Sequence, residues 1–70
     1  MNEEYYISLA PEKPNQSPLF MIADIYVYRF NLIEKKMKYY CMLEMLHGQT
    51  ISKELQLIQI DKQQAMLYML

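Results

Sequence analysis

Seventy residues, 53% of them apolar and 21% charged for a net charge of −1, are too apolar to remain disordered. They are also too neutral for a dedicated DNA-binding tail or an acidic mimic of nucleic acid. A single domain of this size hides only about 60% of the surface its unfolded chain exposes, so a partner or a second copy is expected to help stabilise it.

The usual staples of small domains are not evident. Cys41 is the one cysteine and cannot close an internal disulfide, and no cysteine–histidine spacing suits structural zinc. A lone thiol fits a reducing compartment. The opening residues, Met-Asn-Glu-Glu-Tyr-Tyr, lack the basic and apolar regions of a secretory signal. The longest apolar run is interrupted by Asp24 and Arg29, short of the roughly 20 apolar residues of a membrane span. The expectation is a cytoplasmic protein with no membrane segment.

Residues 1–70 read as one domain, with an N-terminal strand and Pro-rich loop over 1–18 and the core over 19–70. Residues 5–9 are short and apolar between Glu4 and Pro11, which suits a strand. Residues 10–18 hold all three prolines with Asn15, Gln16 and Ser17, a loop composition. Two aromatic-rich arms follow around a charged hinge. As a strand, 19–32 sets Tyr26, Tyr28, Phe30 and Leu32 on one face, and Ile25, Val27, Arg29 and Asn31 on the other. The second arm sets Tyr39, Cys41, Leu43 and Met45 against Tyr40, Met42, Glu44 and Leu46. Glu34, Lys35 and Lys36 form the turn between the arms. His47-Gly48 turns into a strand over 51–60, and residues 61–64 turn back into a last strand over 65–70. The product is mainly β, a five-strand antiparallel meander or barrel-like sheet.

An all-α alternative reads the same residues. Leu19, Ile22, Ala23, Tyr26, Phe30, Ile33, Met37 and Tyr40 form a stripe at helical spacing, with Ser17 as N-cap, Pro18 in the first turn and Gly48 as stop. Residues 42–70 then resemble a loose helix-turn-helix in which Asp61-Lys-Gln-Gln opens a recognition helix and Gln63 and Gln64 face base edges. Residue type favours the sheet. Ile25-Tyr-Val-Tyr28 and Tyr39-Tyr40 are strand formers, and one helix over 19–46 would be at least twice the usual ~10–14 residues.

Catalytic chemistry finds little support. His47 has no nucleophile or orienting carboxylate at a suggestive spacing and reads as a turn residue. Cys41 sits among Tyr40, Met42 and Leu43, the setting of a small buried hydrophobe rather than an activated nucleophile. Asp24, Glu34, Glu44, Glu54 and Asp61 are scattered, which suits neither paired acid–base work nor a divalent metal. One glycine is too few for a phosphate-cradling loop. The chain therefore reads as non-enzymatic, without cofactor, metal or small-molecule substrate.

Tyrosine and methionine, seven of each, carry the functional signal, because both are enriched at protein interfaces. Both faces of the central arms are apolar, more than one small sheet can cover. The reading is a protein-interaction module that self-associates as a homodimer or docks on and inhibits a larger protein, through Tyr26, Tyr28, Phe30, Tyr39 and Tyr40. Small size without chemistry also fits accessory proteins of phages or mobile elements. The alternative is a nucleic-acid-binding module or transcriptional regulator. It would use Lys35, Lys36 and Lys38 beside stacking tyrosines, or the C-terminal helix-turn-helix.

Overall fold

The structure is a computed structural model that describes residues 3–10, 16–43 and 56–70. Five strands form one open antiparallel sheet: β1 (Glu3–Ser8), β2 (Gln16–Ala23), β3 (Tyr26–Asn31), β4 (Lys36–Met42) and β5 (Leu57–Ile60). A seven-residue helix, α1 (Lys62–Tyr68), follows β5. The strand order is β4-β3-β2-β1-β5. The first four strands run as a meander, while β5 returns across the sheet to pair with β1. The mainly β reading holds, and no long central helix forms over 19–32, where the chain is extended.

Three expectations about the elements change, each for a local reason. Residues 19–32 are two strands rather than one, because the chain reverses at Asp24-Ile25, leaving Ala23 opposite Tyr26. Asp24 takes φ 56°, a left-handed conformation that Asp accepts more readily than most residues. The expected loop at 16–18 is the start of β2. Its register shifts between Gln16 and Phe20, and a bulged stretch tolerates Pro18, which has no N–H to give a ladder. Ser17 is 1% exposed there. Its hydroxyl accepts the Leu19 N–H at 3.1 Å, and its carbonyl accepts Arg29 Nε–H at 3.2 Å, supplying partners the interrupted ladder omits.

Residues 65–70, expected as a strand, belong largely to α1. Asp61 accepts the Gln64 N–H at 2.8 Å while the Gln64 side chain accepts the Asp61 N–H at 3.2 Å. This capping box satisfies two donors at the helix start, and Ala, Met and Leu then propagate it. A strand, Leu57–Ile60, precedes this helix, so the arrangement around Asp61 is not a helix-turn-helix. The expected turn at His47-Gly48 and the rest of 44–55 lie outside the described residues.

Pairing fixes which side chains share a face. Tyr5, Leu19, Met21, Phe30, Met37 and Ile60 gather on the helix-bearing face, where Ala65 of α1 is fully buried. The missing bulk of Ala65 lets the helix approach the strands. Phe20 and Val27, both 0% exposed, anchor the opposite face with Tyr6, Ile22, Cys41 and Leu57. Helix α1 packs on β1 and β2. With a diameter of about 10–12 Å against a strand spacing of about 4.8 Å, one helix covers about two strands. The β3–β4 half of its face is left to other means.

Candidate interaction surface

On that uncovered half, Tyr26 and Tyr28 lie two residues apart on β3, and Tyr39 of β4 pairs with Tyr28. The Tyr39 ring meets both others edge-on, with centroids 6.2 Å from Tyr26 and 6.3 Å from Tyr28. Such edge contacts are favourable by roughly 0.5–1.5 kcal/mol beyond area burial. They hold the three rings as a pre-formed apolar patch. Tyr39 is 58% exposed and Tyr26 42%, while Tyr28 is half-buried. Further exposed apolar side chains are Met66 and Leu67 of α1 and Leu70 beyond its end.

The other two tyrosine-set residues go elsewhere. Phe30 is 3% exposed and belongs to the core with Leu19 and Tyr5. Tyr40 is on the opposite face, its ring edge-on to Phe20 at 5.5 Å. Alternation alone separates Tyr40 from Tyr39. A register shift between Val27 and Tyr28 then makes Tyr40 the extra residue on β4, so that Cys41 and Met42 exchange the faces expected of them. A bulge of this kind puts consecutive side chains on one side. Tyr40 therefore keeps company with Cys41, and Tyr39 shares its face with Met42 rather than with Cys41.

The lysines separate in a similar way. Lys35, at φ 58°, is in the turn that precedes β4. That turn is tied by Asn31, whose side-chain oxygen accepts the N–H groups of Ile33 and Glu34 at 2.9 and 2.7 Å. Lys36 and Lys38 alternate along β4, and Lys38 sits opposite Arg29 of β3. Glu34 bridges Lys38 and reaches Lys36 at 3.7 Å. The Lys38 ammonium, with help from Lys36, holds the Glu34 carboxyl below the usual carboxylate range. Arg29 is a participant the sequence reading left aside. Its guanidinium sits 5.0 Å above the Phe20 ring, a cation–π contact. Only the β3–β4 register reveals that it adjoins Lys38.

Burial pushes the Cys41 thiol above its ordinary value, which lowers its thiolate fraction and its nucleophilicity. Among the described residues, no three His, Cys, Asp or Glu side chains converge as a metal site. None of the described helices is long and apolar enough to cross a membrane. His47, Glu44 and Glu54 lie outside the described residues. Gln64, a candidate base reader, spends its side chain on the helix cap. Comparison with family models, curated proteins and solved structures returned no match.

Proposed function

We propose that this chain is a non-enzymatic protein-interaction module, and that the patch of Tyr26, Tyr28 and Tyr39 docks a second copy of the chain. The observation that carries the reading is the exposure of Tyr26 and Tyr39, with half-buried Tyr28 packed against Tyr39, on the part of the sheet that α1 leaves open. Self-association is favoured because the chain carries both halves of a complementary pair. Met66 and Leu67 of α1 and Leu70 beyond its end are apolar and exposed, and a twofold-related copy can lay them over the open β3–β4 half of its partner. A twofold interface repeats the contact in reverse, so one apolar match is used twice.

The β4 edge is an unsuitable alternative route to pairing. Lys36 and Lys38 lie along it and a bulge interrupts it, both devices that discourage strand addition. Function then follows from occlusion or scaffolding, in which the dimer presents or covers surface for a larger assembly.

Light scattering behind size exclusion, over a range of protein concentrations, tests the proposal. The expected result is a dimer that Tyr39→Ser converts to a monomer with its thermal midpoint nearly unchanged at high dilution. A wild-type monomer at every concentration overturns self-association and leaves the patch for a different protein.

A further inference from the structure

The opposite side of the β3–β4 hairpin has a different chemistry. Arg29 and Lys38 stand side by side across the strand pair, with Lys36 two residues before Lys38 on β4. Next to them is a cavity of about 190 Å³, lined by Gln16, Arg29, Asn31, Lys38 and both Tyr39 and Tyr40, with no acidic residue in its wall. Another cavity, about 370 Å³, has Glu3, Glu4 and Asp61 with Lys62 in its wall. The register places the two groups at opposite ends of the sheet. Glu3 pairs with Ala23 beside Asp24, and Tyr5 pairs with Ile60 beside Asp61, whereas Lys36 pairs with Asn31 at the far end. A net charge of −1 thus conceals a separation of charge along the strands, and local fields rather than net charge steer ions.

We propose that this cationic hairpin face binds single-stranded nucleic acid. The Lys38 ammonium, beside Arg29, takes a backbone phosphate, Lys36 takes the next, and a base rests against Tyr40, which is 42% exposed. Alternate residues of a strand are about 6.6 Å apart, a spacing that lets Lys36 and Lys38 meet neighbouring phosphates of one strand. Planar amide side chains and an aromatic ring beside the cations suit an unpaired base, which stacks irrespective of sequence. Glu34 is the built-in competitor. Its carboxylate already bridges Lys38 and approaches Lys36, so an incoming phosphate has to displace it.

Fluorescence anisotropy with a labelled mixed-sequence single-stranded oligonucleotide, repeated across salt concentrations, tests this. For two phosphates engaged, the affinity should fall with salt at about −0.7 per phosphate on logarithmic axes, a slope of roughly −1.4. Lys38→Gln should make the slope shallower by about 0.7, and Tyr40→Leu should weaken binding about fivefold or more. Glu34→Gln should tighten binding by roughly two- to fivefold, an effect that a merely structural glutamate would not produce. Lys38 is solvent-facing, so Lys38→Gln keeps the test decisive if Arg29→Gln fails to fold. Absence of salt-sensitive binding, or a Lys38→Gln variant equal to wild type, overturns the proposal. So does inorganic phosphate that competes at the same concentration as oligonucleotide phosphate, or a polyglutamate peptide that binds as tightly as the oligonucleotide.

Discussion

The two halves of the helix-bearing face are built from the same kinds of residue and meet different fates. Over β1 and β2, Leu19 and Ala65 are fully buried and Tyr5 nearly so. Over β3 and β4, Phe30 is buried as well, but Tyr26 and Tyr39 on the same face stay exposed. Apolar alternation therefore marks a side chain for a face but does not say whether anything covers that face. Here the deciding element is a seven-residue helix too narrow for the whole sheet. The exposed residues of this face are tyrosines. A ring with a polar tip tolerates water, while retaining a large apolar area for a partner.

The sharpest break of this comparison is a pair of truncations. Leu19→Ala, at a fully buried side chain of the covered half, should cost about 2–5 kcal/mol and sharply lower the urea midpoint. Tyr39→Ala, at the exposed ring, should cost within about 0.5 kcal/mol per monomer while altering the assembly state. Equal destabilisation by the two would mean that the tyrosine patch is core. A second, smaller effect probes the covered half. Ala65→Leu forces three extra carbons between α1 and the strands and should destabilise by about 1–3 kcal/mol, read as a lowered urea midpoint. No loss would mean that α1 does not rest tightly on β1 and β2.

The smallest effect is electrostatic and local to β1. Tyr6 donates its phenolic proton to Glu4 at 2.6 Å. That bond, then burial, then the negative charge of Glu4 push the phenol from 10.0 up to about 12. Because the folded state holds this proton more tightly, the stabilisation is fully present below pH 10 and is lost as pH rises from 10 towards 12. In an ultraviolet titration of the folded protein, one tyrosinate step should appear near the top of this window, and Glu4→Gln should move it down towards 10. A wild-type profile in which all tyrosines ionise together near 10 would mean that the Tyr6–Glu4 bond does not persist in solution. Tyr5 follows the same logic with a different leading cause. Burial raises its phenol first and the hydrogen bond to Glu3 at 2.8 Å second.

Much of the architecture was legible from residue type. Strand formers around Tyr26-Val27-Tyr28 and Tyr39-Tyr40 point to a sheet because β-branched and aromatic side chains pack well on a pleat, and the charged segment after Asn31 marks the central hairpin. The capping box of Asp61 and Gln64 was equally legible, with its acceptor and its amide at the required spacing of three. A reading dominated by apolar alternation passes over it and extends a strand through helical residues.

What the sequence determined by itself was composition on each side of a strand: Tyr26, Tyr28 and Phe30 on one face, Val27 and Arg29 on the other. Only the tertiary structure decided that Phe30 is core while Tyr26 is surface, that a bulge at Tyr40 puts Cys41 on the face of Tyr40 and Met42 on that of Tyr39, and that Arg29 meets Lys38. Those outcomes depend on register and on where one short helix comes to rest. Both are set by the summed packing of residues far apart in the chain, a quantity that no local window of sequence contains.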